Sequence, residues 1–250
     1  QLVMDIVARG ANVQAGNVLR ETAAAYEYAI GLGALDEDFV NPALRAKSSL
    51  RQAKVKLSST PGKRFLTDGE LTRFLKWLPG SGFTATMKGV MHLTLLTGAR
   101  TGEICNARWD HIDLEKGIWH VDQKTGVKRD VQLCQQAVEF LRQLQKMTNV
   151  WLFPSTKTGV PIQQKSLTEQ AWVLRKSNRM LDIERWTPHD LRRTVRTGLS
   201  RLGCPNEVGE AVLGHSRKGI EGTYDLHRYE PECRLWLQKW ADHMDKLIAK

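Results

Sequence analysis

The 250-residue sequence is poor in the features that mark several large functional classes. Its four cysteines, Cys105, Cys134, Cys204 and Cys233, lie far apart with no CxxC pair, which argues against a disulfide framework or a structural zinc site and leaves reduced, incidental thiols. No apolar run approaches the roughly 20 residues needed to cross a bilayer. The start, Gln1 to Arg9, lacks the basic-then-apolar order of a signal peptide, so a soluble intracellular protein is expected. No initiator Met precedes a stretch that is already amphipathic, and the chain reads as a fragment or processed form whose natural beginning lies upstream. There is no GxxxxGK[ST] loop for ATP, no acidic cluster of the kind a two-metal nuclease uses, no internal repeat and no low-complexity tract.

Positive charge, by contrast, is plentiful. Lys and Arg total 37 against 27 Asp and Glu, a formal net charge of +10, which suits a polyanionic partner such as nucleic acid or an acidic membrane surface. With 41% apolar residues the chain can bury a real core, and its length fits one large domain plus a smaller one. Residues 1 to about 56 read as helices, broken at Gly31 to Gly33 and at Asn41-Pro42. Ser58-Ser59-Thr60-Pro61-Gly62 reads as a linker flanked by Lys54, Lys56, Lys63 and Arg64. Beyond it, Thr67 and Glu70 predict a capping box opening a helix through Trp77, and a second helix is expected from about Phe83 to Leu96. Ile118 to Val121 and Val127 to Leu133 predict a hairpin turning at Lys124-Thr125-Gly126. Further helices are expected near 135–147, 166–178, 188–202, 206–213 and 231–248, so the second domain is mainly α with a small antiparallel β-sheet. The eight tryptophans are expected chiefly in the core rather than in a stacking groove.

From Arg175 to Arg201 the chain carries Arg175, Lys176, Arg179, Arg185, Arg192, Arg193, Arg196 and Arg201 against only Asp182, Glu184 and Asp190. Arg predominates, and its planar fork can hold two oxygens of one phosphate, so this segment is expected to face phosphate; a solvated helix face is the plainer alternative. Within it, His189 and Arg192 are three apart and would share a face at a helix start. Thr97-Gly98-Ala99-Arg100-Thr101-Gly102-Glu103, the hairpin Lys124, Leu213-Gly214-His215 and Tyr224 complete a set able to transfer a phosphoryl group. Arginines would neutralise non-bridging oxygens, histidines would hydrogen-bond, a tyrosine would attack phosphorus and a lysine would protonate the departing oxygen, with no metal or cofactor required.

In this order TGARTGE, QKTGVK, HDLR, LGH and Tyr224 resemble the signature boxes of the tyrosine recombinases, specifically the phage and genomic-island integrase branch. The likeness covers residues 62 to 250, whereas residues 1 to 56 are more loosely similar to the end of the helical core-binding domain that precedes the catalytic domain. The resemblance implies a partial core-binding domain over 1–57, a linker over 58–64 and a catalytic domain over 65–250. It implies that Tyr224 attacks the scissile phosphate to give a 3′-phosphotyrosyl bond, with Tyr229 the rival nucleophile. Arg100 and Arg192 become the phosphate clamp, Glu103 a support for Arg100, and Lys124 the mobile general acid, with Lys128 the runner-up. His189 and His215 share hydrogen bonding and proton relay in a division the residues leave open. Lys54, Lys56, Lys63, Arg64, Lys128, Arg175, Lys176, Arg179, Arg193 and Arg196 are expected to grip DNA. A metal held by His215 with Cys204 or His227 lacks paired-ligand spacing. Implied partners are double-stranded attachment sites, three further copies of the chain, a host DNA-bending protein and a directionality factor, in a bacterial cytoplasm. The alternatives are a type IB topoisomerase-like enzyme and a non-catalytic DNA-binding regulator.

Overall fold

The structure, a computed structural model, describes residues 1–58, 62–122, 128–215 and 227–249, with Asp122 and Lys128 described by their backbone alone. Two compact units divide the chain, Gln1–Lys63 and Arg64–Lys250. The first holds α1 (Leu2–Ala8), α2 (Asn12–Gly31) and α3 (Pro42–Gln52). Asn41 sets the start of α3: its side-chain oxygen accepts from the Ala43 amide at 3.0 Å, satisfying a donor that the first helical turn leaves without a partner. Its Nδ2 donates to the Ala23 carbonyl at 3.0 Å, tying α3 to α2 beside a small core of Leu19, Ala23, Ala43 and Leu50.

The second unit contains α4 (Asp68–Trp77), α5 (Ala85–Thr97), α6 (Thr101–Cys105), β1 (Ile112–Asp113), β2 (Ile118–Asp122), β3 (Lys128–Gln132), α7 (Gln135–Gln145), α8 (Gln164–Lys176), α9 (Pro188–Arg201), α10 (Asn206–Leu213) and α11 (Glu230–Ala249). It is mainly helical, with one three-stranded antiparallel sheet in the order β1-β2-β3. Capping boxes fix two of the helices: Thr67 with Glu70 opens α4, and Thr187 with Asp190 opens α9, where Pro188 occupies the first turn. Helix α5 is apolar around most of its circumference and is accordingly interior, buried from Met87 onward except at Lys88 and His92.

α11 packs on α4, α5, α9 and α10. Its Trp240 is buried, donates Nε1–H to the Leu95 carbonyl at 2.8 Å, and lies so close to α9 that a Cβ on Gly198 would fall 2.1 Å from its ring. The tryptophan expectation holds for Trp119, Trp186 and Trp240. It fails for Trp172, which is 58% exposed with Lys176 Nζ 5.2 Å from its ring centre. The reason is phase: α8 buries Leu167, Ala171 and Leu174, and position 172 points away from that stripe. All four cysteines are free and buried, and burial pushes the thiol of Cys105 up to about 12.

The strand register decides what the sheet offers the site. Trp119 pairs with Val131 and Val121 with Arg129, while His120 pairs with Asp130. Opposed residues share a face, so Arg129 projects on the core side with Trp119, Val121 and Val131, and the His120 Nδ1 to Asp130 contact of 2.6 Å lies on the other. β1 and α6 have no counterpart in the sequence expectation; at two and five residues they are too short for periodicity to reveal. The hairpin turn around Lys124 lies outside the described residues. No described helix is long and apolar enough to cross a membrane.

Candidate active site

Two helix ends build the centre of the site. α5 terminates at Gly98 and α10 at Gly214, both left-handed, with φ of 64° and 63°. At the end of α10 the Gly214 amide donates to the Ala211 carbonyl at 2.9 Å and the His215 amide to the Glu210 carbonyl at 3.1 Å, the paired bonds of a Schellman turn. The last carbonyls of both helices still lack helical N–H donors and carry the negative end of the helix dipole.

Arginines from three other elements fill that need. Arg192 of α9 donates Nη1–H to the Gly98 carbonyl at 2.5 Å and Nη2–H to the Leu213 carbonyl at 2.6 Å, spanning the two helix ends. Arg129 of β3 donates to the Val212 carbonyl at 3.2 Å, and Arg100, just before α6, reaches the Gly214 carbonyl at 3.4 Å. Three successive carbonyls of α10 and its cap thus hold three guanidinium groups side by side. Arg192 is 4% exposed, and burial, followed by the charges of Arg100 and Arg129, lowers its pKa to about 10. It remains a cation at neutral pH, held at some cost in the company of like charges.

Glu103 offsets part of that repulsion. One oxygen accepts from the Arg100 amide at 2.9 Å and from Arg129 Nη2 at 2.7 Å, and the other accepts from Arg100 Nη1 at 2.8 Å. Burial works to raise its pKa, but Arg129 and Arg100 overcome this and hold the carboxyl below the ordinary range. Arg129 is the residue that sequence reasoning missed. Its signal was available: it falls in phase with Val131 and Leu133, so an arginine sat at an inward-facing strand position.

His215 lies beside Arg192, with Nε2 3.1 Å from Arg192 Nη2, while its Nδ1 is 2.6 Å from Glu210. The other Glu210 oxygen accepts from Arg196 Nε at 2.8 Å. His189 faces a groove of about 970 Å³ that it shares with Arg100, Glu103, His111 and Gln164. Burial and the charges of Arg193 and Arg192 lower its pKa, keeping the ring neutral at neutral pH. The structure therefore brings together Arg100, Glu103, Arg192 and His215, with His189 on the adjoining groove. Lys124 and Tyr224 lie outside the described residues, and Lys128 is described by its backbone only. Tyr229 packs against the core with its ring 4.4 Å from that of His227.

Several arginines of the run from Arg175 to Arg201 have partners within the protein. Arg193 is bound to Asp190, Arg196 to Glu210 and Asn206, Arg201 to Asp68, and Arg175 to the Trp186 carbonyl. Carboxylates brought in from α4 and α10 supply counter-charges that the local sequence does not contain. Arg64, expected in the linker, belongs to the second unit: its side chain is 14% exposed, pairs with Glu70 at 2.5 Å and reaches the Glu184 carbonyl at 3.3 Å. Lys54, Lys63, Lys176 and Arg179 are exposed, as is Lys56, whose carbonyl accepts from Asn12 at 2.9 Å.

The sequence profile of the phage integrase family matches residues 64–230. A shufflon-specific DNA recombinase of Escherichia coli is 32% identical over 173 residues, 68% of this chain and 42% of that protein. The tyrosine recombinase XerD of Vibrio cholerae is 28% identical over 150 residues, 55% of this chain and 48% of its own. Among solved structures, a Tn1549 transposon integrase in complex with transposon right-end DNA superposes with a TM-score of 0.63 at 19% identity, covering 96% of this chain and 83% of that one. A lambda integrase dimer bound to a COC′ core site gives 0.61 at 20% identity, with coverages of 86% and 76%. At such identities the likeness is one of fold. The chain spans about half the length of the curated relatives it matches.

Proposed function

The chain belongs to the phage integrase family, and from that membership we propose that it is a site-specific DNA recombinase that cleaves and rejoins strands through a 3′-phosphotyrosyl intermediate. The observation that carries this reading is the convergence of Arg100, Arg192 and His215, from three distant sequence boxes, on the facing ends of α5 and α10. Two guanidinium groups held a short reach apart match the non-bridging oxygens of one phosphodiester, whose charge grows as phosphorus becomes five-coordinate.

In the proposed reaction the phenol oxygen of Tyr224 forms a bond to phosphorus while the bond from phosphorus to the 5′-oxygen breaks. The departing oxygen takes a proton from Lys124, and the phenol, with an ordinary pKa near ~10, gives its proton to a base. The tyrosyl phosphodiester conserves the energy of the broken linkage, so rejoining needs no nucleotide. Double-stranded attachment sites are the proposed substrate, and a tetramer of this chain is the proposed assembly for exchanging strands between two of them. A host DNA-bending protein and a directionality factor are the proposed accessories.

The test is a suicide duplex, nicked beside the scissile phosphate and built on a site selected by binding from a random-sequence pool. The expected outcome is a covalent protein–DNA adduct with the wild-type protein and none with Tyr224→Phe. An adduct that survives Tyr224→Phe, or no adduct under any condition, refutes the reading. Joining of two separate sites then distinguishes recombination from simple relaxation of supercoils.

A further inference from the structure

Arg129 stands behind the arginine clamp rather than in it. Its side chain is 12% exposed, against 41% for that of Arg100, and it is not on the wall of the groove that Arg100, Glu103 and His189 line. Gly214 makes room for it there: a Cβ on that glycine would fall 2.6 Å from Arg129 Cδ and Nη1. From this position Arg129 Nη2 donates to Glu103 Oε2 at 2.7 Å and Nη1 to the Val212 carbonyl at 3.2 Å, so both ends of its fork are bonded within the protein.

The reason for such a cation lies in Glu103. Its carboxylate supports Arg100 twice, accepting from the amide at 2.9 Å and from Nη1 at 2.8 Å. A carboxylate held that close to one guanidinium offsets much of its charge at the position of a ligand. Arg129 counters this by taking the other share of the carboxylate. Arg100, Arg129 and Arg192 against Glu103 make three positive charges to one negative, a net of two, and without Arg129 the same cluster nets one. The difference bears on the proposed chemistry, because a phosphodiester gains negative charge as phosphorus becomes five-coordinate. The ionisation of Glu103 depends on the same neighbour: burial is the largest influence and pushes its pKa up, and the charge of Arg129 is the largest of those that bring it down.

We propose that Arg129 is a positioning residue that pairs with Glu103, so that the carboxylate orients Arg100 without neutralising it and the cluster keeps a net charge of two for the phosphate. This rests on the recombinase reading above. Arg129 does not touch the phosphate; Arg100 and Arg192 do, and Arg129 sets how much charge they present. Its effect is therefore on the transition state, which carries more negative charge than the bound duplex, and not on the affinity for DNA.

Two measurements on the intact chain test this. In the first, side-chain carboxyl ¹³C spectra without DNA, with the Glu103 signal assigned by its absence in Glu103→Gln, are compared for wild type and Arg129→Met. The wild-type signal is expected to keep its ionised position as pH falls to about 4, and that of Arg129→Met to move toward its protonated position over the same range. A signal that stays equally still in both overturns the pairing whatever the protein does to DNA. In the second, single-turnover cleavage of the suicide duplex is compared for wild type, Arg129→Met, Arg129→Lys and the double variant Arg129→Met with Glu103→Gln. Arg129→Met is expected to cleave at least about tenfold more slowly with its Kd for the duplex within about threefold of wild type. Removing the carboxylate as well restores the charge balance, so the double variant should cleave at least about threefold faster than Arg129→Met, a gain that a purely structural loss would not give. Arg129→Lys keeps the charge and should stay within about threefold of wild type, which tests the proposal even where the methionine variant does not fold. A loss of cleavage matched by loss of binding, a double variant no faster than Arg129→Met, or a lysine variant slowed more than about tenfold overturns the proposal. Failure of the wild-type protein to form any adduct brings down the recombinase reading and the role in cleavage with it, while the carboxyl spectra still report on the Arg129–Glu103 pair.

Discussion

Glu70 illustrates how a single residue can serve two purposes at a helix start. It closes the capping box with Thr67 and binds Arg64 through both oxygens, at 2.5 and 3.0 Å. Hydrogen bonding to Arg64, aided by Thr67, lowers its pKa to about 2. An unfolded glutamate titrates near ~4.3, so the folded state holds the charged form more tightly. The stabilisation is fully present above the unfolded value and is lost as pH falls from about 4 toward about 2. Glu70→Gln should therefore melt below wild type at pH near neutrality, with the gap in Tm closing through that acid window; a gap that stays constant with pH would contradict the assignment. The residues that sequence reading found first, such as Arg100, Arg192 and Glu103, belong to short contiguous boxes in which spacing carries the signal. Arg129 and Glu210 were harder because their partners lie elsewhere: Arg129 meets Glu103 across 26 positions, and Glu210 meets His215 only after a left-handed glycine reverses the chain.

At the scale of elements, the site depends on how closely α9 can approach its neighbours. Gly198 permits the tightest of these approaches, against Trp240 of α11. Gly198→Ala should destabilise the protein by about 1–3 kcal/mol through overpacking, read as a lower midpoint in urea. Gly69→Ala is the control, since a Cβ there meets nothing within 4 Å, and it should leave stability unchanged or raise it by up to about 1 kcal/mol. If both variants behave alike, close packing is not what the glycine serves. Helices with strong local punctuation were legible: α4 and α9 have side-chain caps, and the structure ends them within a residue of the positions the sequence indicates. α6 was not, because one and a half turns form there only when Glu103 and Arg100 bond across its start. The partners of the basic run were hidden for a related reason. Composition records charge, but the carboxylates that neutralise it arrive from α4 and α10 through tertiary packing.

For the molecule as a whole, the formal charge of +10 and the exposed lysines, including Lys54, Lys63 and Lys176, give the proposed DNA complex a large electrostatic component. Raising salt from about 50 to about 200 mM should weaken binding to any duplex by orders of magnitude, measured by fluorescence anisotropy. A flat response would mean that few phosphates are contacted. On the proposed reading, chemistry and grip fall to different populations of cations, outward lysines holding the duplex and inward arginines its scissile phosphate. The inward set has a further property that follows from the end of α10. Guanidinium groups already moored to peptide oxygens have shed much of their rotational freedom during folding, so an incoming phosphate has less disorder to pay for and need only trade places with a backbone acceptor. A helix terminus in this protein thus acts as an understudy for the proposed substrate.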